Sequence, residues 1–473
     1  MPDRSSSHPS PLSAQRGTSY LPVTEDRARD VLGLSDRDIE LPSLPARSEQ
    51  LWRLDRFAAN VPFANPMFVP MGKAADIGLL YQSVATVVHR HEALRTRLMV
   101  ESGRSIQVAE DWRVTVLEVV DVLRQDLLDD RPGIKSAVND FTQLPIDLYA
   151  QDGFHCRAFR DENGEVTLGF LAHGFFSDAW SSQLLFREVR TAYSALRKGE
   201  TPALEPARQY SVYAQTQRHS LARNLPAHLS YWHGRLADIP PFRLPHDANE
   251  RTGQRGRSYF FVRDGIVTRL AAGAQASRIS LTLVLLAIYQ IALARWSGQN
   301  EILSAAYTAD RVNPEFRNTI GMLVTNMPVV ARLDRGQSFK AFLADFAREF
   351  YGGYPHRDLS CELYDAIFSP QGSFCASVFN FIPLQKNFFD SELHSVPVFD
   401  DIIVAPPGSR PAIYREIYLG LAQYPNGMLG KIFYNADLFT ARGIEGFIEH
   451  FRKAAESIAL APDVTIGQLL QRT

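Results

Sequence analysis

The sequence predicts a mixed α/β chain of the α+β kind, built as two lobes behind a polar N-terminal arm. Three observations predict this. The chain has 473 residues, it is 45% hydrophobic against 22% charged, and helical and strand patterns alternate through two successive halves. That length admits two or three domains, or one large two-lobed unit. The composition is that of a globular chain.

Residues 1–41 are expected to form a disordered arm. Pro2, Pro9, Pro11 and Pro22 lie among serines, and such a segment buries too little apolar surface to order itself. Within it, Thr24 to Gly33 predicts one short helix, with Thr24 as N-cap and Gly33 just past its end.

Residues 42–205 form the first predicted lobe. From Ala74 to Arg90, Leu79, Val84, Val87 and Val88 recur at helical spacing. Residues 113–120, 155–160 and 166–172 read as strands. From Asp178 to Arg197, Trp180, Leu184, Leu185, Val189, Ala192 and Leu196 make one apolar face, and Gly199 and Pro202 stop that helix.

Residues 206–473 form the second lobe, opening with a polar, proline-containing crossing. Strands are predicted at 259–262, 302–307, 329–333, 374–382, 413–422 and 428–434. Helices are predicted from Ser280, as cap, to Trp296, from Lys340 to Phe350 and from Ile444 to Ile458.

Fifty basic against 52 acidic side chains leave a formal charge of −2, which gives no reason to expect a nucleic acid or an anionic membrane as partner. The greasiest stretch, Leu281 to Trp296, is short and interrupted by Thr282, Gln290 and Arg295, so it reads as a buried helix rather than a bilayer span. Cys156, Cys361 and Cys375 form no CxxC pair and read as reduced thiols. Together with a polar N-terminal stretch unlike a signal peptide, they predict a cytoplasmic location. The sequence has no HExxH, no cysteine cluster, no P-loop and no dinucleotide fingerprint, so neither a metal nor a bound cofactor is expected.

Six segments, in order, resemble the condensation domains of non-ribosomal peptide synthetases. Ser48, Gln50, Leu51 and Trp52 are similar to that family's first motif, and Arg90 to Leu98 (RHEALRTRL) to its RHExLRTxF segment. His173 to Ser181 (HGFFSDAWS) aligns with the signature HHxxxDGxS. Ile320 to Asn326 (IGMLVTN) matches IGxFVNT with its last two residues exchanged. His356, Arg357, Asp358 and Glu362 fit HQDxPxE, and Ile432 to Phe439 resembles the YNxDLF strand.

The resemblance implies two chloramphenicol-acetyltransferase-like lobes in a V-shaped pseudodimer with a central tunnel. It also implies a reaction. A thioester on the 4′-phosphopantetheine arm of a carrier protein enters one mouth, an acceptor enters the other, and they meet at the HHxxxD loop. The sequence shows neither an adenylation segment nor a carrier-protein serine motif, so the carrier protein is expected to act in trans.

The signature departs from the family's at its second histidine, where this chain has Gly174. His173 is next to it, but adjacent residues of a strand point to opposite faces. Two roles are open to His173: a structural, hydrogen-bonded one in the lobe, or a catalytic one reached by a local twist. Asp178 resembles the family's structural carboxylate, and Arg95 is its expected ion-pair partner. Ser177 is placed to approach the tunnel, and Trp180 either flanks it or anchors the following helix. Asn326 and Asn380 are candidate donors to a thioester carbonyl. His356 and Asp358 read as a structural pair near the surface. Cys361 and Cys375 have no basic neighbour in sequence to make them nucleophiles.

A positioned general base contributes about 10²–10⁴-fold, whereas alignment of two reactants supplies about 7–11 kcal/mol. An α-amino group with a pKa near 8 can attack a thioester unaided; an alcohol needs the base. An amine acceptor, hence amide formation, is the expected chemistry. Two alternatives remain open: an inactive domain that recruits a carrier protein or tailoring enzyme, and cyclisation or hydrolysis in a tunnel widened at Gly174.

Overall fold

A computed structural model describes residues 24–35, 41–55, 64–73, 75–111, 117–123, 137–142, 144–149, 153–240, 242–249, 255–311, 313–368, 376–383, 416–424 and 426–471. Residues 1–23 and 36–40 of the expected arm, Cys375, and the first residues of the strands expected at 113–120, 374–382 and 413–422 lie outside them.

The first half runs α1 (Glu25–Leu32), α2 (Ala46–Asp55), β1 (Ala64–Lys73), α3 (Ile77–Arg90), β2 (Thr96–Glu101), β3 (Arg104–Ala109), β4 (Val119–Asp121), α4 (Ala137–Thr142), β5 (Phe154–Arg160), β6 (Glu165–His173) and α5 (Ala179–Arg197). Its sheet has the order β1-β6-β5-β4, with β6 antiparallel to both neighbours. The hairpin β2–β3 stands apart, its turn made by Ser102 and Gly103 with φ of 50° and 76°, the left-handed pair that a tight hairpin requires.

The second half runs α6 (Tyr210–Leu236), β7 (Arg255–Arg263), α7 (Asp264–Ala276), α8 (Leu281–Ser297), β8 (Glu301–Ala309), β9 (Val324–Arg332), α9 (Phe339–Gly353), α10 (Cys361–Phe368), β10 (Ser377–Ile382), β11 (Ile417–Tyr424), β12 (Gly427–Asn435), α11 (Ala441–Leu460) and α12 (Ile466–Leu469). Its six strands lie in the order β7-β12-β11-β10-β8-β9. Helix α8 is buried along nearly its whole length, as a helix apolar on every side must be. Among the described residues no single helix is long and apolar enough to cross a membrane.

Two expectations need correction. The crossing after residue 205 is a 27-residue helix, α6, that continues through Pro226. Its stripe of Tyr210, Tyr213, Gln217, Leu221, Leu225, His228, Trp232 and Leu236 is buried, and that burial outweighs the hydrogen bond lost at proline. The arm is not disordered over 24–35. Thr24 caps α1, Gly33 ends it at φ 65°, and Ala28, Leu32 and Leu34 are buried in the core of the second half.

The two halves exchange segments. Ala28, Leu32, Leu34 and Ala46 feed the second core, while Phe316, Ile320, Met322 and Leu323 of the second half pack into the first. Helix α6 serves both, with Tyr210 and Tyr213 in the first core and Leu221 onward in the second. A cut at residue 205/206 therefore separates chain segments but not hydrophobic cores.

Candidate functional site

Strand β6 ends at His173, residues 174–176 turn, and Asp178 caps α5. The Asp178 carboxylate accepts the Ser181 N–H at 2.7 Å and, from the second half, the Leu323 N–H at 3.0 Å. Its ion-pair partner is Arg311, whose Nη2 lies 2.9 and 3.1 Å from the two carboxylate oxygens. Arg95 is not the partner. It sits beyond α3 and donates to the Glu110 carbonyl at 2.8 Å. Arg311, just after β8, donates also to the carbonyls of Phe316 and Thr319 at 3.1 and 2.8 Å. Both charges are buried, and these added hydrogen bonds offset part of the desolvation cost, although Arg311 Nε has no partner among the described residues.

Ser181 extends this network. Its Oγ accepts from Gly321 N and Arg311 Nη2, each at 3.0 Å, and lies 2.7 Å from Asp178 Oδ1 and 2.8 Å from Gly321 O. Gly321 must be glycine, since a Cβ there would stand 2.1 Å from the Tyr210 ring. The signature loop and the Ile320–Asn326 motif thus lock the two halves together.

Other motif residues are also fasteners. Arg90 Nε and His91 Nε2 both reach Glu188 of α5, at 3.0 and 2.8 Å, and Glu92 accepts the Ser211 N–H at the start of α6 at 2.7 Å. Arg47 of α2 makes a two-pronged pair with Glu362 of α10, both contacts at 3.1 Å. Asn326 is fully buried and donates to the same Glu362 at 2.6 Å. His356 does not pair with Asp358, as expected from sequence. It lies 3.1 Å from His228 Nδ1 and stacks on Tyr231, while Asp358 accepts from Ser220.

Between the halves lies a cavity of about 160 Å³. Ser177, Asp178, Trp180 and Gln183 wall it on one side, and Tyr307, Thr308 and Asn380 on the other. Asn380 donates to the Tyr418 hydroxyl at 3.0 Å. Trp180 donates to the Arg317 carbonyl at 3.1 Å, with Arg311 5.7 Å above its ring. Trp180 and Gln183 also line an outer groove of about 580 Å³ along α5, beside Arg187, Arg190 and Lys198. Of the residues expected at the site, Ser177, Asp178, Trp180 and Asn380 come together here, whereas His173, Gly174 and Asn326 are not among this cavity's lining residues.

His173 is buried, its Nδ1 accepting the Phe175 N–H at 3.1 Å, which assigns its own proton to Nε2. Burial pushes its pKa down to about 3, so the ring is neutral across the physiological range. Arg311, Gln183 and Thr308 were missed from sequence. The position of Arg311 at the end of a strand, ahead of the Ile320–Asn326 motif, was the available signal for it. Gln183 had a weaker one, five residues past Asp178 on the same helix.

A family model described as Condensation domain matches residues 44–471. Among relatives, a linear gramicidin synthase polypeptide of Brevibacillus parabrevis is 28% identical over 450 residues, covering 92% of this chain and 9% of that protein. The dimodular nonribosomal peptide synthase of Bacillus subtilis is 25% identical over 456 residues, covering 92% of this chain and 19% of that protein. The chain spans less than a tenth of the length of the gramicidin synthase polypeptides it matches.

Two solved structures share the fold. One is the X-domain in its complex with OxyB from teicoplanin biosynthesis (TM-score 0.72, 20% identity, 92% of this chain and 97% of that one). The other is the condensation domain of the Monacolin K polyketide synthase MokA (TM-score 0.74, 15% identity, 90% of this chain and 98% of that one). With six motifs in order, the fold these structures share and a family match over nearly its whole length, this chain belongs to the condensation-domain family.

Proposed function

We propose that this protein is an acyltransferase of natural-product biosynthesis that moves an acyl or aminoacyl group from a carrier-protein thioester to an amine. The carrier protein acts in trans and presents the group on its 4′-phosphopantetheine arm. One observation carries this reading. The cavity beside the signature loop is walled by both halves, yet among the described residues its lining includes no histidine or lysine, and the one carboxylate among them, Asp178, is held by Arg311. Such a site aligns reactants but offers no free base, which suits an amine and not an alcohol.

Small-molecule sites usually enclose about 300–1,000 Å³, so the cavity alone is small for an arm. A groove of about 580 Å³ adjoins it across Trp180 and Gln183, and in this reading the arm lies along that groove. The small inner volume is what favours the second reading, recruitment of a carrier protein or tailoring enzyme without catalysis.

The test is incubation with acyl-loaded carrier protein and matched amine and alcohol acceptors, followed by intact-protein mass spectrometry, with Gly174→His alongside. The expected result is acyl release to the amine alone, with the alcohol used only by the histidine variant. Equal turnover of the alcohol by the unmodified protein would overturn amide selectivity, and no release from a carrier that binds would favour recruitment.

A further inference from the structure

Two residues that line the cavity each carry a polar atom without a partner among the described residues. Gln183 is 9% exposed and Thr308 6%; both line the cavity, one from α5 and one from β8. Gln183 Oε1 and Thr308 Oγ1 are each buried without a hydrogen-bond partner among the described residues. Leaving such groups unsatisfied is costly, and each one in a folded protein calls for an explanation. Their neighbours in the cavity are engaged: Asp178 with Arg311 and Asn380 with Tyr418.

We infer that Gln183 and Thr308 are catalytic hydrogen-bonding residues, Gln183 accepting an N–H of the attacking amine and Thr308 donating to the thioester carbonyl oxygen. The inference rests on the amide-forming reading and gives it atoms. The amine lone pair attacks the carbonyl carbon, the C–N bond forms, and negative charge collects on the oxygen facing the Thr308 hydroxyl. As the carbonyl re-forms, the C–S bond breaks and sulfur leaves with the electron pair. The proton shed by nitrogen ends on that sulfur, because a neutral carboxamide orients the amine but cannot keep its proton. The products are an amide and the carrier's free thiol.

The substrate is expected to bridge the two halves, completing on each an atom that the folded chain leaves open. This assignment also explains how a site with glycine at position 174 can work. Hydrogen bonds that orient the amine and stabilise the oxyanion replace proton transfer by an imidazole.

The experiment pairs turnover with binding in the full chain. Thr308→Val should lower kcat about 10²-fold with the amine KM unchanged, and Thr308→Ser should restore it. Gln183→Leu should raise the amine KM about tenfold. Gln183→Glu should add a rate limb rising with pH, since a carboxylate can take the proton. Melting temperature confirms that each variant folds. If the unmodified protein turns over and the valine and leucine variants match it, the inference is overturned.

If the unmodified protein makes no amide, the proposed function fails, and binding decides the inference. The probe is an acyl-pantetheine amide, with NH in place of the thioester sulfur, titrated by calorimetry. A loss of about tenfold in affinity for this probe in Thr308→Val, and for the acceptor amine titrated onto the probe complex in Gln183→Leu, would support the two hydrogen bonds, and unchanged or absent binding would overturn them.

Discussion

Asp178 on the first half and Arg311 on the second form a buried ion pair, with Nη2 2.9 Å from Oδ1 and 3.1 Å from Oδ2. Removing one partner of such a pair leaves a buried charge without compensation, at a cost of about 3–5 kcal/mol. Arg311→Ala and Asp178→Ala should each lose about that much in urea unfolding. Arg95→Ala, which removes a donor to one carbonyl, should lose only about 1 kcal/mol.

Arg47 and Glu362 bind α2 to α10 with little solvent between them. A double-mutant cycle with Arg47→Met and Glu362→Gln should return a coupling of about 1–3 kcal/mol. A value near zero would show that the pair merely touches.

Gly321→Ala places a methyl group 2.1 Å from the Tyr210 ring. The ring is buried and cannot swing into water, so overpacking should cost about 1–3 kcal/mol. Alanine at Gly265, where nothing lies within 4 Å of the added carbon, is the control and should be neutral or slightly stabilising, because an exposed helical glycine is being replaced.

His173, at about 3, and His228, at about 4, are both depressed by burial. The unfolded chain takes up protons at these sites below about pH 6.5 while the folded chain does not. Their contribution to stability is thus complete above that pH and lost as pH falls toward 4 and then 3. Asp358 has the opposite sign: raised to about 6 by burial, it loses stability as pH rises from about 4 through 6. His173→Asn keeps an acceptor for Phe175 but removes the titration. It should flatten the acid limb between pH 6 and 4, measured as the free energy of unfolding at each pH.

Helix α5 was legible to the residue because its stripe is regular and Asp178 is a good N-cap. Helix α6 was not, because its amphipathic pattern is much weaker than that of α5, its buried face including Gln217, Arg218 and His228, and because a proline lies inside it. Strand β1, absent from the expected strands, contains Pro66 and Pro70, residues that argue against a strand. The residues at the site divide in the same way. Ser177, Trp180 and Asn380 could be nominated because they lie in or near motifs. Gln183 and Thr308 carry no motif, and what singles them out is the absence of a partner, a property of neighbours and not of residue type.

By itself the sequence determined the alternation of helices and strands, the order of the motifs and the glycine at position 174. These are local properties, written in spacing and residue identity. Tertiary structure alone decided that Asp178 pairs with Arg311 and not Arg95, that each half lends residues to the other's core, and that two residues with an unpaired polar atom line one cavity. Pairing across 133 residues depends on which surfaces meet, and that is settled by packing of the whole chain rather than by any window along it.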